Sequence, residues 1–157
     1  MFAALQARAE SAPRQRMNEN LHPSPEDPVQ RMAVALRPGT YVRPHRHAEA
    51  GRWELLLCLQ GRLDVLCFAD DGAVVERLPL AADGVTRGVE LAAGTWHSLV
   101  AGPQGAILFE VKQGPYQPLQ AADFAAWAPA EGVPEAVALV RWMERAGVGA
   151  RYPGAAA

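Results

Sequence analysis

Four residues of this chain have the types and spacing of a metal site. His45 and His47 are two residues apart, so on a β-strand their side chains leave the same face, with Cα atoms roughly 6.5–7 Å apart. Glu54 follows on the next predicted strand, and His97 begins a later one. Three imidazoles and a carboxylate suit a divalent first-row metal and leave positions open for water or substrate. The pattern predicts one divalent ion, and iron, manganese, nickel and zinc all accept this ligand set.

The elements that must position these residues have the two-residue period of β-strands. Most of the alternating stretches are bounded by glycines, which favours a sandwich or a closed barrel. The predicted strands are Val29 to Leu36, Thr40 to His47, Trp53 to Leu59, Arg62 to Ala69, Val74 to Leu80, Gly88 to Ala92, His97 to Ala101 and Ala106 to Lys112.

The sequence on either side of these strands is helical or turn-forming in character. We divide the chain into a flexible or helical segment over 1–16, a barrel with an N-terminal arm over 17–120, and a helical extension with a tail over 121–157. Prolines make 17–28 rich in turns. Asp123 to Trp127 predicts a short helix capped by Asp123, and Pro134 to Ala146 a longer one. The apolar stripe of that helix is predicted to contain Val137, Val140, Trp142 and Met143. Tyr152 to Ala157 is expected to be disordered.

Length, composition and charge limit the classes of protein to which this chain could belong. A chain of 157 residues suits a single domain, and a net charge of -2 with a pI near 6.1 provides no basic face for nucleic acid. Its apolar runs fall short of the roughly 18 residues of a membrane helix. Arg8 and Glu10 interrupt the apolar core that a signal peptide needs, so we expect a cytoplasmic protein that binds neither nucleic acid nor membrane. Cys58 and Cys67 are interpreted as small buried hydrophobic residues, with a cross-strand disulfide as the alternative.

The metal-site residues and their neighbouring glycines resemble the two sequence motifs of cupins. The first motif has the form G-x5-H-x-H, three or four residues, then E-x6-G. Here Gly39 precedes His45 and His47, and Glu54 precedes Gly61, with six residues between His47 and Glu54. The second motif is represented by Gly94-Thr-Trp-His97, with Ala92 at the usual proline position. The resemblance implies a mainly β, single-domain cupin, a double-stranded β-helix or jelly-roll barrel with a short N-terminal arm and C-terminal helices, and a homodimer.

Glu49 is the rival carboxylate for the metal. An unbroken strand would place it on the same face as His45, four residues earlier. However, residues 48–51 have the composition of a turn, and only Glu54 has the motif's spacing to a glycine. We therefore favour Glu54.

Several longer strings resemble one group of cupins, the WbuC-type cupin-fold metalloproteins. They are N-E-N-L-H (18–22), D-P-V-Q-R (27–31), T-Y-V-R-P-H-R-H (40–47), W-E-L (53–55), T-W-H-S-L-V (95–100), E-V-K-Q-G-P-Y (110–116) and F-A-A-W-A-P (124–129). Members of this group are encoded among O-antigen and other surface-polysaccharide genes. The resemblance implies a metal-binding cupin with a link to sugars or polysaccharide, and it supplies no mechanism.

Further polar residues could surround the metal. Glu110 and Lys112 share one face of a strand, either as an ion pair in solvent or, as the E-V-K-Q-G-P-Y resemblance favours, inside the barrel. His22 lies in an arm that could fold over the barrel mouth, or on a surface loop. Glu110, His22 and Lys112 are the candidate acid–base groups. Candidates for the substrate pocket, where arginine suits anions and aromatic rings suit sugars, are Asn20, Gln30, Arg31, Tyr41, Arg43, Trp53, Trp96 and Tyr116.

Two main functions fit these residues. The first is a metalloenzyme acting on a small polar ligand such as a sugar or sugar nucleotide, with isomerase or epimerase chemistry preferred to an oxygenase. The second is a non-catalytic module that uses the metal to bind a sugar or metabolite. A third hypothesis is a cupin that binds no metal and whose histidines are vestigial. Elemental analysis that finds near one metal ion per chain would exclude it.

Overall fold

The computed structural model describes residues 1–154 as a β-barrel with a helix at each end of the chain. The predicted mainly β fold with flanking helices is therefore confirmed. The elements are α1 Phe2–Ser11, β1 Arg16–Asn20, β2 Val29–Leu36, β3 Glu54–Phe68, β4 Val74–Ala81, β5 Gly88–Leu91, β6 Trp96–Gln113, a 3-10 helix Ala121–Asp123 and α2 Pro134–Met143.

The six strands form one antiparallel sheet in the order β1-β2-β6-β3-β4, with β5 paired to the first residues of β3. The predicted strand Val29 to Leu36 is confirmed as β2. Two pairs of predicted strands are instead continuous: β3 and β6 are long strands that pair along their whole lengths, from Glu54 opposite Lys112 to Phe68 opposite Trp96. Irregular register near Gly61 lets both strands bend around the barrel without ending.

Two other strand assignments were wrong. Residues 16–20, placed partly in a turn-rich arm, form β1, because they have β2 as an antiparallel partner. Conversely, the predicted strand Thr40 to His47 is not a regular strand, and only His45 forms isolated bridges, to His97 and Phe124. Pro44 has no N–H to donate to a ladder, which disfavours a strand paired on both sides at this position.

The barrel interior and two outer layers have separate apolar clusters. Leu36, Leu56, Val65 and Leu108 belong to the interior cluster. On the outer face of β1, β2 and β6, α1 buries Leu5 and Ala9, so the first helix packs against the sheet. The third cluster packs α2 against the other half of the sheet.

The C-terminal segment differs in detail from the prediction. The short helix ends at Asp123 instead of beginning there, because Asp123 C=O accepts from Arg46 N–H (2.9 Å) and Ala125 N–H donates to Pro44 C=O (3.0 Å). These hydrogen bonds hold residues 123–125 in an extended conformation beside residues 44–46.

The second C-terminal helix begins at Pro134, as predicted, but its apolar stripe is shifted. Ala136, Leu139, Val140 and Met143 are buried, whereas Val137 is 53% exposed. Tyr152, expected to be disordered, packs on Trp142 with ring centroids 5.5 Å apart. Ala155 to Ala157 of the predicted tail lie outside the described residues. Within residues 1–154, no helix is long and apolar enough to cross a membrane.

Both cysteines are free and buried, as predicted for small apolar residues. Burial raises the pKa of the Cys67 thiol from 9.0 to about 11. Only the thiolate is nucleophilic, so this shift reduces the reactive fraction about 100-fold at neutral pH. We therefore expect Cys67 to resist iodoacetamide at pH 8 in the native protein and to react within minutes in 6 M guanidinium, as measured by peptide mass spectrometry. Rapid native labelling of Cys67 would contradict this.

Candidate metal centre

Three histidines from two parts of the chain converge inside the barrel. His45 lies in the connection between β2 and β3 and pairs with His97 on β6 through reciprocal backbone hydrogen bonds of 3.0 and 2.8 Å. His47 follows two residues later and reaches the same cluster, although the chain here is not the regular strand that was predicted. One ligand nitrogen from each ring lies within 4.8 Å of the others. Because nitrogens bound to one ion at about 2.1 Å lie no more than about 4.2 Å apart, small side-chain shifts would suffice. The three histidines could hold a metal ion.

Backbone carbonyls orient two of these rings. The Nδ1 atoms of His45 and His97 lie 2.9 Å from the carbonyl oxygens of Arg43 and Thr95. A carbonyl only accepts, so each Nδ1 carries a proton and leaves Nε2 as the coordinating atom, an arrangement typical of metal-binding histidines. His47 Nε2 is buried without a hydrogen-bond partner among the described residues. A buried nitrogen in that state costs stability, and a metal ion would supply its missing partner.

Glu54 is the carboxylate beside these imidazoles. It is the first residue of β3 and is almost fully buried, with carboxylate oxygens 3.1 Å from His97 Nε2 and 3.6 Å from His47 Nε2. Glu49, the rival, lies on the exposed turn and forms an ion pair with Arg52. The turn ends the extended chain before Glu49, so the same-face relation to His45 is lost. Of the two carboxylates, Glu54 is the one that reaches the histidines.

The electrostatics of the cluster separate two of its histidines. Burial, together with the charge of His97, lowers the pKa of His45 to about 3. Burial also opposes charge on His97, but the hydrogen bond and charge of Glu54 outweigh it and raise that pKa. Burial likewise opposes charge on Glu54, yet the neighbouring imidazoles of His47 and His97 and the charge of Lys112 hold its pKa well below the usual range. The cluster therefore favours an ionised Glu54.

Glu110 and Lys112 lie on β6 and face the interior of the barrel, next to Glu54 on β3. Lys112 Nζ lies 2.5 Å from Glu110 Oε1 and 3.7 Å from Glu54 Oε1. Burial and the negative charge of Glu54 raise the pKa of Glu110 to about 7. Burial lowers the pKa of Lys112, but the charges of Glu110 and Glu54 outweigh it and raise it overall. The chain thus places a carboxyl group and an ammonium group next to the histidine cluster.

These groups share a cavity of about 230 Å³ with the histidines. Of the predicted pocket residues, Gln30, Trp53 and Tyr116 line it. Asn20 and His22 line a neighbouring cavity instead. The volume is below the roughly 300–1,000 Å³ typical for drug-sized ligands, so the cavity suits one small polar molecule.

Four other predicted pocket residues are placed elsewhere, and none lines this cavity. Tyr41 donates its hydroxyl to Pro129 C=O (2.8 Å), and Arg43 donates to Ala128 C=O (2.9 Å), so both fasten the C-terminal segment. Arg31 forms an ion pair with Asp27 at 3.0 Å. Trp96 donates to Asp70 (2.8 Å) on the outer side of the sheet. Each of these side chains has a partner that explains its position without a ligand.

Sequence reasoning did not single out several residues that do line the cavity. Arg16, on β1, donates to Tyr41 C=O and pairs with Glu131. Its signal was available, because Arg16, Asn18 and Asn20 alternate as on one face of a strand. Arg52, Gln113, Gln117 and Leu119 also line the cavity, and nothing in the local sequence marks them.

The β-barrel, with three histidines converging inside it, has the cupin fold. The chain belongs to the family described as "Domain of unknown function (DUF6016)", which matches residues 1–80. No curated protein matches the chain.

Solved cupin structures have the same fold. The Cupin_2 domain of an XRE family transcriptional regulator from Enterobacter cloacae is 21% identical with a TM-score of 0.50, covering 64% of this chain and 98% of that one. KdgF from Halomonas sp. is 16% identical with a TM-score of 0.52, covering 68% and 85%. A cupin superfamily protein from Desulfitobacterium hafniense DCB-2 is 17% identical with a TM-score of 0.51, covering 69% and 86%.

Proposed function

We propose that this protein is a metal-dependent enzyme that isomerises or epimerises a small polar substrate such as a sugar. The carrying observation is that Glu110, a carboxyl group whose side chain is 13% exposed and paired with Lys112, lies in the same small cavity as the histidine cluster. His45, His47, His97 and Glu54 would hold one divalent ion. When bound, the metal would supply Lewis-acid polarisation of a substrate carbonyl.

The acid–base step falls to Glu110 in this proposal. Its carboxylate would remove the proton from the carbon next to the carbonyl. For epimerisation it would return that proton to the opposite face of the same carbon. For isomerisation it would return the proton to the former carbonyl carbon, while the proton of the neighbouring hydroxyl moves to the former carbonyl oxygen. Lys112, held at 2.5 Å, would orient the carboxylate and offset its charge. The same number of protons leaves and returns, so no other reactant is needed. A bound metal without an acid–base group in its cavity would favour the binding module instead.

The size of the metal cavity and the resemblance to WbuC-type cupins both restrict the class of substrate that we propose. A cavity of about 230 Å³ favours a single sugar over a whole sugar nucleotide at the metal. The link to surface-polysaccharide synthesis is supported by the resemblance of the chain to WbuC-type cupins, which carries no evidence on the reaction.

Deuterium exchange tests this function. Protein loaded separately with Fe(II), Mn(II), Ni(II) or Zn(II) would be incubated in D2O with D-glucose, D-mannose and D-fructose, and loss of the substrate C–H signal followed by NMR. We expect exchange with at least one metal, and a fall of roughly 100-fold or more in Glu110→Gln, the range for loss of a general base. Glu76→Gln, an exposed carboxylate on β4, is the matched control and should exchange at the wild-type rate.

Two results would contradict the proposal. Equal exchange by Glu110→Gln and the wild-type protein would remove Glu110 from the chemistry. Sugar binding without exchange under any metal would favour the non-catalytic binding module.

A further inference from the structure

A second cavity opens beside the metal cavity, between β1 and the arm that follows it. It has a volume of about 490 Å³ and shares six lining residues with the metal cavity, so the two are adjoining parts of one interior space. The shared residues are Arg16, Gln30, Val34, Glu110, Lys112 and Tyr116. None of the four metal-site residues lines it. We call it the outer chamber, and its polar wall includes Asn18, Asn20, His22, Gln30, Glu110 and Lys112.

Gln30 directs a hydrogen-bond acceptor into this space. The residue is only 1% exposed, and its amide nitrogen donates to the carbonyl oxygens of Asp27 (2.8 Å) and Pro25 (3.1 Å). Both donor hydrogens are therefore used by the backbone, and the amide orientation is set. Its oxygen accepts no hydrogen bond from the described residues and is not sealed among the buried atoms that lack a partner. A cavity-lining residue so held offers its carbonyl oxygen to a ligand hydroxyl or N–H.

His22 lines the same chamber and is 8% exposed. Its Nδ1 lies 2.9 Å from the carbonyl oxygen and 3.0 Å from the amide nitrogen of Arg31, so the backbone of Arg31 holds the ring through that nitrogen. The other ring nitrogen, Nε2, has no hydrogen-bond partner among the described residues. It donates or accepts according to the tautomer, so His22 offers the chamber a second polar group.

The cations around the chamber all lie beside a carboxylate, and two of them share one. Lys112 is paired with Glu110, and Arg14 and Arg16 are both paired with Glu131. Every cation that lines the chamber therefore has a carboxylate partner, and a ligand anion would have to displace one. Hydroxyl and amide groups, which both donate and accept, match the Gln30 oxygen and the His22 ring nitrogen at less cost.

We propose that the outer chamber is a recognition subsite for an uncharged, hydroxyl- or amide-bearing part of the ligand. The reacting end of that ligand occupies the adjoining metal cavity, so the inference rests on the proposed function. His22 is then a substrate-binding residue and not an acid–base group. Asn18 and Asn20, hydrogen-bonded to each other at 2.7 Å, contribute at the rim of the chamber.

Saturation-transfer NMR on zinc-loaded protein tests the subsite, with D-glucose, D-galactose, D-mannose and N-acetyl-D-glucosamine as probes. We expect at least one of these sugars to bind, and inorganic phosphate not to compete with it. Gln30→Leu and Asn20→Ala should each weaken binding at least five-fold while metal content stays at the wild-type value. Glu19→Ala is the matched control, because Glu19 is the neighbour of Asn20 on β1 but pairs with Arg8 on the outer face.

The outcomes separate this inference from the proposed function. Absence of binding by all four sugars, competition by phosphate, or unchanged affinity in Asn20→Ala would overturn the subsite. Asn20→Ala decides the matter if Gln30→Leu fails to fold, since Asn20 is exposed. Sugar binding that depends on Asn20 without deuterium exchange would retain the subsite and reject the isomerase. Deuterium exchange together with unchanged sugar binding in these variants would retain the isomerase and reject the subsite.

Discussion

Replacing His97 with alanine is expected to reduce bound metal from near one ion per chain to less than about a tenth of that. His97 is 3% exposed and contacts two of the other ligands, since it is bridged to His45 through the backbone and lies 3.1 Å from Glu54. Changes to groups that merely support metal ligands cost 10- to 100-fold in affinity, so loss of a ligand should cost at least as much. The backbone bridge is independent of the side chain, so the barrel should remain closed.

Metal analysis after dialysis checks this, together with the thermal shift on adding metal. A metal ion that binds only the folded protein stabilises it by an amount that grows with the logarithm of the metal concentration divided by Kd. The melting temperature of the wild-type protein should therefore rise on adding metal, whereas that of His97→Ala should not. His22→Ala is the matched control, because His22 is also a buried histidine but lies outside the cluster. Equal metal loss in both variants would show that the cluster is not the site.

Replacing Gly61 with alanine is expected to destabilise the barrel by about 2–5 kcal/mol. Gly61 has φ +71° at the bend of β3, and an added Cβ would lie 2.2 Å from the carbonyl oxygen of Gly105. The left-handed conformation costs an alanine roughly 1–2 kcal/mol, and forcing backbones apart adds about 1–3 kcal/mol. The obstruction is backbone on both sides, so no side chain can move to relieve it.

Gly39→Ala separates the two contributions. Gly39 has φ +77°, but nothing lies within 4 Å of the position of its Cβ. Its substitution should therefore cost only the conformational part, roughly 1–2 kcal/mol. Urea unfolding followed by circular dichroism measures both free energies. Equal losses at the two positions would mean that the close approach of β3 to β6 at Gly61 does not constrain the barrel.

Local patterns were enough to predict the features that depend on neighbouring residues. Alternation predicted β2 at its observed bounds, and Pro134 marked the beginning of α2. The H-x-H spacing placed His45 and His47 on one side of the chain, and the motif resemblance associated them with His97. The mainly β cupin fold followed from many short alternating stretches together with that resemblance.

Other features depended on partners distant in the sequence. β1 is a strand because β2 lies beside it, and the helix expected after Asp123 is replaced by hydrogen bonds to Pro44 and Arg46. The shifted stripe of α2 has the same cause, since the face that is buried depends on which part of the sheet the helix meets.

The candidate metal site also depends partly on local sequence and partly on contacts between distant residues. The sequence by itself determined which residue types could bind a metal and that three of them are histidines. Only the tertiary structure decided that Glu54 and not Glu49 reaches them, that Glu110 and Lys112 face inward, and that Gln30 and His22 direct unpaired groups into a second chamber. The physical reason is that spacing along a strand sets the face of a side chain, whereas its neighbours are set by pairing between strands far apart in the chain.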